Sequence, residues 1–120
     1  GARFVLVGEN GGGVLPVLRA NLAAVGLPGG RVQAGSVPAV VAGPAPEAFD
    51  LVLADPPYAT PVEEVLGVLG SLVAGGWLAE GAVVVVERGR REESWEWPTP
   101  LTGLRDRRYG EAVLRYGRLS

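Results

Sequence analysis

The chain contains no cysteine and no histidine, and every one of its basic residues is arginine. Without cysteine there is no disulfide framework, no thiolate zinc site and no cysteine nucleophile. Without histidine the commonest general base and metal ligand is missing as well. Chemistry in this chain therefore rests on carboxylates, hydroxyls, backbone groups or a cofactor, and no metal centre is expected. No apolar run approaches the ~20 residues of a membrane span. No secretory leader opens the sequence either, so no membrane partner and a cytoplasmic location are the expectations.

What is present fits one domain. The 120 residues are enough for one packed core and too few for two, and 48% of them are apolar. The net charge of −2 hides an asymmetry: residues 1–87 carry three arginines against eight acids, and residues 88–120 carry eight arginines against five acids. That basic C-terminal third has two readings, a phosphate contact or a solvated face.

Strand and helix patterns alternate along the chain. Arg3 to Val7 reads as a short strand closed by Gly8. Leu15, Leu18, Leu22 and Val25 then fall on a helical stripe, with Pro16 in its first turn and Gly26 at its stop. Arg31 to Ala34 predicts a second strand and Val37 to Val41 a short helix. Phe49 to Ala54 is a continuous run suited to a strand buried on both faces of a parallel sheet. Val62, Val65, Leu66, Leu69, Leu72 and Val73 predict a helix with Glu63 and Glu64 turned outward. Ala82 to Val86 predicts another buried strand. Segments from about Leu101 to Arg107 and from about Ala112 to Tyr116 predict a hairpin turning at Tyr109-Gly110. Strands separated by helices make this an α/β protein, mostly parallel, with a C-terminal antiparallel hairpin.

Asp55-Pro56-Pro57-Tyr58 directly follows the buried strand 49–54. Ligands in open α/β sheets sit beyond the carboxyl ends of the strands. The paired prolines stiffen the backbone and remove two donors, so the local carbonyls act purely as acceptors. A carboxylate beside them makes a small acceptor-only cradle, and an amino group with two N–H bonds is its natural guest. Tyr58 offers a flat face on which a base can stack. Accepting both N–H bonds favours the pyramidal nitrogen needed for attack by an otherwise delocalised lone pair, so positioning supplies the catalysis. The same tetrad also reads as an ordinary strand-ending turn.

The tetrad resembles the (D/N)-P-P-(Y/F) signature of amino-directed methyltransferases with the Rossmann-like class I fold. The succession of an acid-ended strand, a helix, Gly35-Ser36, D-P-P-Y and G-W-L-A-E-G-A most resembles the bacterial family that methylates N2 of a guanine in 16S ribosomal RNA. The resemblance implies S-adenosylmethionine as cofactor, and ribosomal RNA or a small-subunit assembly intermediate as partner. It places Asp55, Pro56, Pro57 and Tyr58 on the amino-binding loop, Gly75-Gly76-Trp77-Leu78 on the turn before the fifth strand, and Arg108-Tyr109-Gly110-Glu111 on the closing hairpin. Glu9, 46 positions before Asp55, matches the family's acid that accepts the hydroxyls of the cofactor ribose. A surface acid near a helix start is the alternative. Ser36 falls where the family contacts the adenine amine, and an N-cap is its alternative. Asn10 and Val37 join Glu9 and Ser36 in the implied cofactor set. Gly11-Gly12-Gly13 fits neither G-x-G-x-x-G nor a Walker loop and reads as a helix entry. Arg107 and Arg108 are the candidate RNA contacts, within a basic surface expected to gather the arginines of the C-terminal third.

The resemblance begins at the family's second strand. Its first strand and glycine-rich loop, normally central in the sheet, find no counterpart in the sequence. The expectation is therefore the C-terminal part of a longer parent, or a sheet that closes without its usual centre. Three other readings share the tetrad or the fold: an adenine-N6 DNA methyltransferase, a protein-glutamine methyltransferase, and a noncatalytic relic that binds RNA or a partner.

Overall fold

The β-branched and aromatic run near the start forms strand β1, Phe4–Gly8. The computed structural model describes residues 3–8, 30–34, 42–57 and 59–119. The helices expected at 14–25 and 37–41, and the glycine run before them, lie outside these residues. Among the described residues five further strands and one helix follow: β2, Gly30–Ala34; β3, Phe49–Asp55; α1, Val62–Ala74; β4, Leu78–Gly89; β5, Leu101–Tyr109; β6, Ala112–Leu119.

The strands form one sheet in the order β2-β1-β3-β4-β6-β5. β1 pairs in parallel with β2 and with β3, and β3 pairs in parallel with β4. β6 is antiparallel to both β4 and β5, which is the expected closing hairpin. β3 is thus interior, and Val52, Leu53 and Ala54 are at most 2% exposed, as its unbroken apolar run predicts. β1 is hydrogen-bonded to β3 directly, from Phe4 opposite Leu51 to Gly8 opposite Asp55.

Alternation along the strands divides the side chains between two faces. The first face carries Val52, Ala54, Val84, Val86 and Leu101, packed with Val65, Leu69 and Leu72 of α1. Burying a leucine such as Leu69 stabilises by roughly 1.5–3 kcal/mol. The second face carries Leu53, Val85 and Leu114, with Leu51, Val83 and Tyr116 packed against them.

Local chemistry sets the helix ends. Glu63 and Glu64 occupy the first turn of α1, where the dipole favours carboxylates. At the other end Gly76 takes φ 78°, and the Trp77 N–H closes back on the Leu72 carbonyl at 3.1 Å, a Schellman stop. This delivers Trp77 into the core, where it stacks on Phe49 with centroids 6.0 Å apart and donates its indole N–H to the Gly43 carbonyl.

β4 is longer than the run Ala82–Val86 predicts. At its start the chain buckles at Gly81, φ 77°, so that Phe49 pairs with Leu78 and Leu51 with Val83. At its end the ladder to β6 continues through Glu87, Arg88 and Gly89. The charged pair ends the apolar run but not the strand.

Candidate active site

Asp55 is the last residue of β3, and by alternation it falls on the second face with Leu53. Glu87 of β4 lies on that face too, one residue beyond the Ala54–Val86 pair, and is 1% exposed. Burial first, and then the Glu87 carboxylate, push the Asp55 carboxyl from its ordinary 3.8 up to about 7. A carboxyl in that range exchanges its proton near neutrality, which is the working range for catalytic groups.

Pro56 is buried and Pro57 exposed. The loop is held from behind by Arg88, which lies on the first face and is 1% exposed. Its guanidinium donates to the Thr60 carbonyl at 2.6 Å and, at a longer 3.4 Å, to the Pro57 carbonyl. Three more contacts go to the Glu92 carboxylate, one from Nε to each oxygen at 3.0 Å and one from the terminal nitrogen at 2.6 Å. The planar fork suits this bidentate geometry. The Pro57 carbonyl also accepts the Thr60 N–H at 2.9 Å, so its two lone pairs are both engaged.

The strand ends beside Asp55 are in register: Gly8 of β1 faces Asp55 on one side and Ala34 of β2 on the other. Glu9 and Asn10 follow Gly8 in sequence, and Ser36 and Val37 follow Ala34 closely. These four residues and Tyr58 lie outside the described residues. Of the expected site, Asp55, Pro56 and Pro57 are therefore described.

The arginines of the C-terminal third do not form one surface, contrary to the sequence expectation. Arg88 and Arg115 are 1% and 2% exposed. Arg115 of β6 donates to the Asp106 carboxylate at 2.6 Å and to the Glu92 and Glu93 carbonyls, each at 3.0 Å, and its guanidinium lies 4.8 Å from the Trp95 ring centre. Glu92 and Asp106 neutralise these arginines around buried guanidinium groups, where losing one partner costs far more than at the surface. Arg107 and Arg108 are exposed but point to opposite faces. Arg107 stands opposite Leu114, on the Asp55 face. Arg108 stands opposite Val113 and lines a polar cavity of about 420 Å³ with Arg90, Glu92 and Asp106.

Sequence reasoning missed Glu87, Arg88 and Glu92 as parts of the site. The signal available was a Glu-Arg pair directly closing a four-valine run, with an acid four residues after the arginine. Among the described residues no group of three or more potential metal ligands occurs. Nor is any described helix long and apolar enough to cross a membrane.

Comparison with known proteins places this geometry. The profile of the family described as conserved hypothetical protein 95 matches residues 1–118. No curated protein matches the sequence. A Haemophilus influenzae protein provisionally named a methylase is 20% identical with a TM-score of 0.65, over 98% of this chain and 87% of that one. A conserved hypothetical protein of Streptococcus pyogenes is 20% identical with a TM-score of 0.68, over 99% of this chain and 72% of that one. The N-methyltransferase NodS of Bradyrhizobium japonicum, solved with S-adenosyl-L-homocysteine, is 13% identical with a TM-score of 0.54, over 98% of this chain and 78% of that one. At such identities the likeness is one of fold, and the fold is the Rossmann-like one of methyltransferases.

Proposed function

The chain belongs to the family described as conserved hypothetical protein 95, and from that membership and the β3 edge we propose that it transfers a methyl group from S-adenosylmethionine to an exocyclic amine, the N2 of a guanine in 16S ribosomal RNA. The observation that carries the reading is Asp55, set at the carboxyl end of an interior parallel strand and followed by Pro56-Pro57, in a loop pinned by Arg88. A cofactor-binding edge fits these residues, because Gly8 puts no side chain opposite Asp55. When bound, S-adenosylmethionine supplies an electrophilic methyl group and leaves as the neutral thioether.

The chain's own residues do the rest in this reading. Glu9 accepts the ribose hydroxyls, while Asn10, Ser36 and Val37 border the adenine. Tyr58 stacks on the target base. The Asp55 carboxylate accepts one N–H of the amine. With both lone pairs of the Pro57 carbonyl engaged, the Pro56 carbonyl is the acceptor for the other. The nitrogen lone pair then forms the new N–C bond, and the nitrogen becomes cationic. Its excess proton passes to Asp55 or water, so no histidine is needed.

The test is methyl transfer from radiolabelled cofactor to small-subunit RNA, DNA and protein acceptors, with the modified nucleoside identified by mass spectrometry. Asp55→Ala should lower turnover by two orders of magnitude or more, on the scale of about 3 kcal/mol per lost preorganised group. Near-normal turnover in that variant would refute the cradle. Label appearing in adenine N6 or protein glutamine would replace the acceptor and keep the chemistry.

A further inference from the structure

We infer that the outward face of the β5–β6 hairpin, on the Asp55 side of the sheet, is a docking surface for single-stranded nucleic acid, formed by Arg105, Arg107 and Arg118 with Tyr109 and Tyr116.

The pairing register fixes which side chains share this face. Tyr116 faces Arg105, Leu114 faces Arg107, and Arg118 faces Thr102. Leu114 and Tyr116 belong to the second-face cluster with Leu53 and Val85. Alternation therefore places Arg105, Arg107 and Tyr109 of β5, and Tyr116 and Arg118 of β6, on the face that carries Asp55. Charge is segregated across the hairpin. Asp106 is the one acid in the two strands, and it faces the other way, bonded to Arg115. Arg108 is on that opposite side as well.

The surface is accessible. Arg105, Arg107 and Arg118 are exposed, and Tyr109 is 41% exposed. Aromatic and cationic groups alternate on it. The Arg105 guanidinium lies 5.5 Å from the Tyr116 ring centre, which holds a flexible side chain flat against the sheet. Burial raises the Tyr116 phenol, Tyr109 raises it further, and Arg107 and Arg105 oppose the shift, so all four groups share one electrostatic neighbourhood. Guanidinium groups interleaved with ring faces on a sheet are the combination that grips a phosphate backbone while stacking bases. A rigid duplex presents no unstacked base to Tyr109, so a single strand is the partner that uses every group.

The surface also leads to the candidate active site. Asp55, Glu87, Leu114 and Arg107 form one row across β3, β4, β6 and β5. Three strand spacings put Arg107 at about 14 Å from Asp55. A strand held on the hairpin thus passes beside the carboxyl. The inference rests on the methyltransferase reading only for the purpose of that approach; the binding itself is independent of it.

The test is binding of a fluorescently labelled single-stranded RNA to the protein by anisotropy, at several salt concentrations and without cofactor. The same sequence as single-stranded DNA and as duplex completes the set. All substitutions are at exposed positions, and circular dichroism checks each fold. Arg105→Ala and Arg107→Ala should each weaken binding and flatten its salt slope by about 0.7. Tyr109→Ala should weaken binding about tenfold with the slope unchanged. Arg108→Ala, on the opposite face, should leave affinity and slope at the wild-type value. Tighter binding of RNA than of DNA assigns the partner as RNA, and equal binding of the two single strands keeps the surface while widening the class. Equal effects of Arg107→Ala and Arg108→Ala, a preference for the duplex, or no salt-dependent binding would overturn the inference. Intact binding without methyl transfer to any acceptor would sink the enzymatic reading alone.

Discussion

Asp55 and Glu87 stand side by side on adjacent parallel strands, one residue past the Ala54–Val86 pair and on the same face of the sheet. Burial disfavours ionisation of Asp55, and the Glu87 carboxylate beside it adds to the effect. The Asp55 carboxyl accordingly sits at about 7, against an ordinary 3.8. In the pH window between these values the folded chain binds this proton more tightly than the unfolded chain does. The group's contribution to stability is therefore largest at acid pH and is lost as pH rises through about 7. Asp55→Asn, which removes the charge, should unfold at the wild-type temperature near pH 4 and at a higher temperature near pH 8. Calorimetry at the two pH values checks this, and a difference of the opposite sign refutes the raised carboxyl.

The same ionisation governs the proposed chemistry. An acceptor must be a carboxylate, so kcat/KM for methyl transfer should climb through about pH 7 as Asp55 ionises. Profiles taken with wild type and with Glu87→Gln should differ, the variant's acid limb moving to lower pH because the repelling charge is gone. Coincident limbs would mean that Glu87 does not act on Asp55.

Arg88 joins the D-P-P-Y loop to the segment after β4 through Thr60, Pro57 and Glu92. Arg88→Ala removes one half of a buried ion pair and leaves the Glu92 carboxylate short of a partner. Urea unfolding should show a loss of about 3–5 kcal/mol. Arg88→Lys restores the charge but not the planar fork. It should recover part of the stability while kcat remains depressed and KM for the cofactor hardly changes. Full recovery of kcat by lysine would show that charge alone, rather than loop geometry, is what Arg88 provides.

Trp97 lies across two glycines of the hairpin. A Cβ built at Gly103 would meet its ring at 2.7 Å, and one at Gly117 would meet it at 2.5 Å. Gly117→Ala should therefore destabilise by about 1–3 kcal/mol, as overpacking does. In a Trp97→Ala background the same change should cost far less. A double-mutant cycle by thermal unfolding measures the coupling, and additive effects would place the cost in the backbone instead.

Where hydropathy and burial coincide, the sequence is a reliable guide. β3, α1 and the hairpin appear where apolar runs and stripes predict them, and Asp55 stands at the strand end because the run stops there. The sequence misleads where charge is buried. Glu87 and Arg88 look like the exit from a strand, yet the ladder to β6 runs through both. Their burial depends on partners at Thr60 and Glu92 that a linear reading does not bring together. The arginine-rich third misleads for the same reason. Arg88 and Arg115 carry the same formal charge as Arg107, but they are taken up by Glu92 and Asp106 inside the fold. Opposite faces separate Arg107 from its neighbour Arg108, a consequence of strand period that follows once β5 is known to be a strand as far as Tyr109.

β5 is the last strand in the order, paired with β6 on one side. Its other margin offers backbone donors and acceptors to any extended chain that approaches, which is how sheets recruit foreign strands and polymerise. Arg105, Asp106, Arg107 and Arg108 are consecutive along that margin. Four charges in a row, projecting alternately above and below the sheet, obstruct a second strand from settling against it. The charges of the hairpin thus oppose edge-to-edge pairing at this margin, and a chain stripped of them would present a bare strand edge to a second copy.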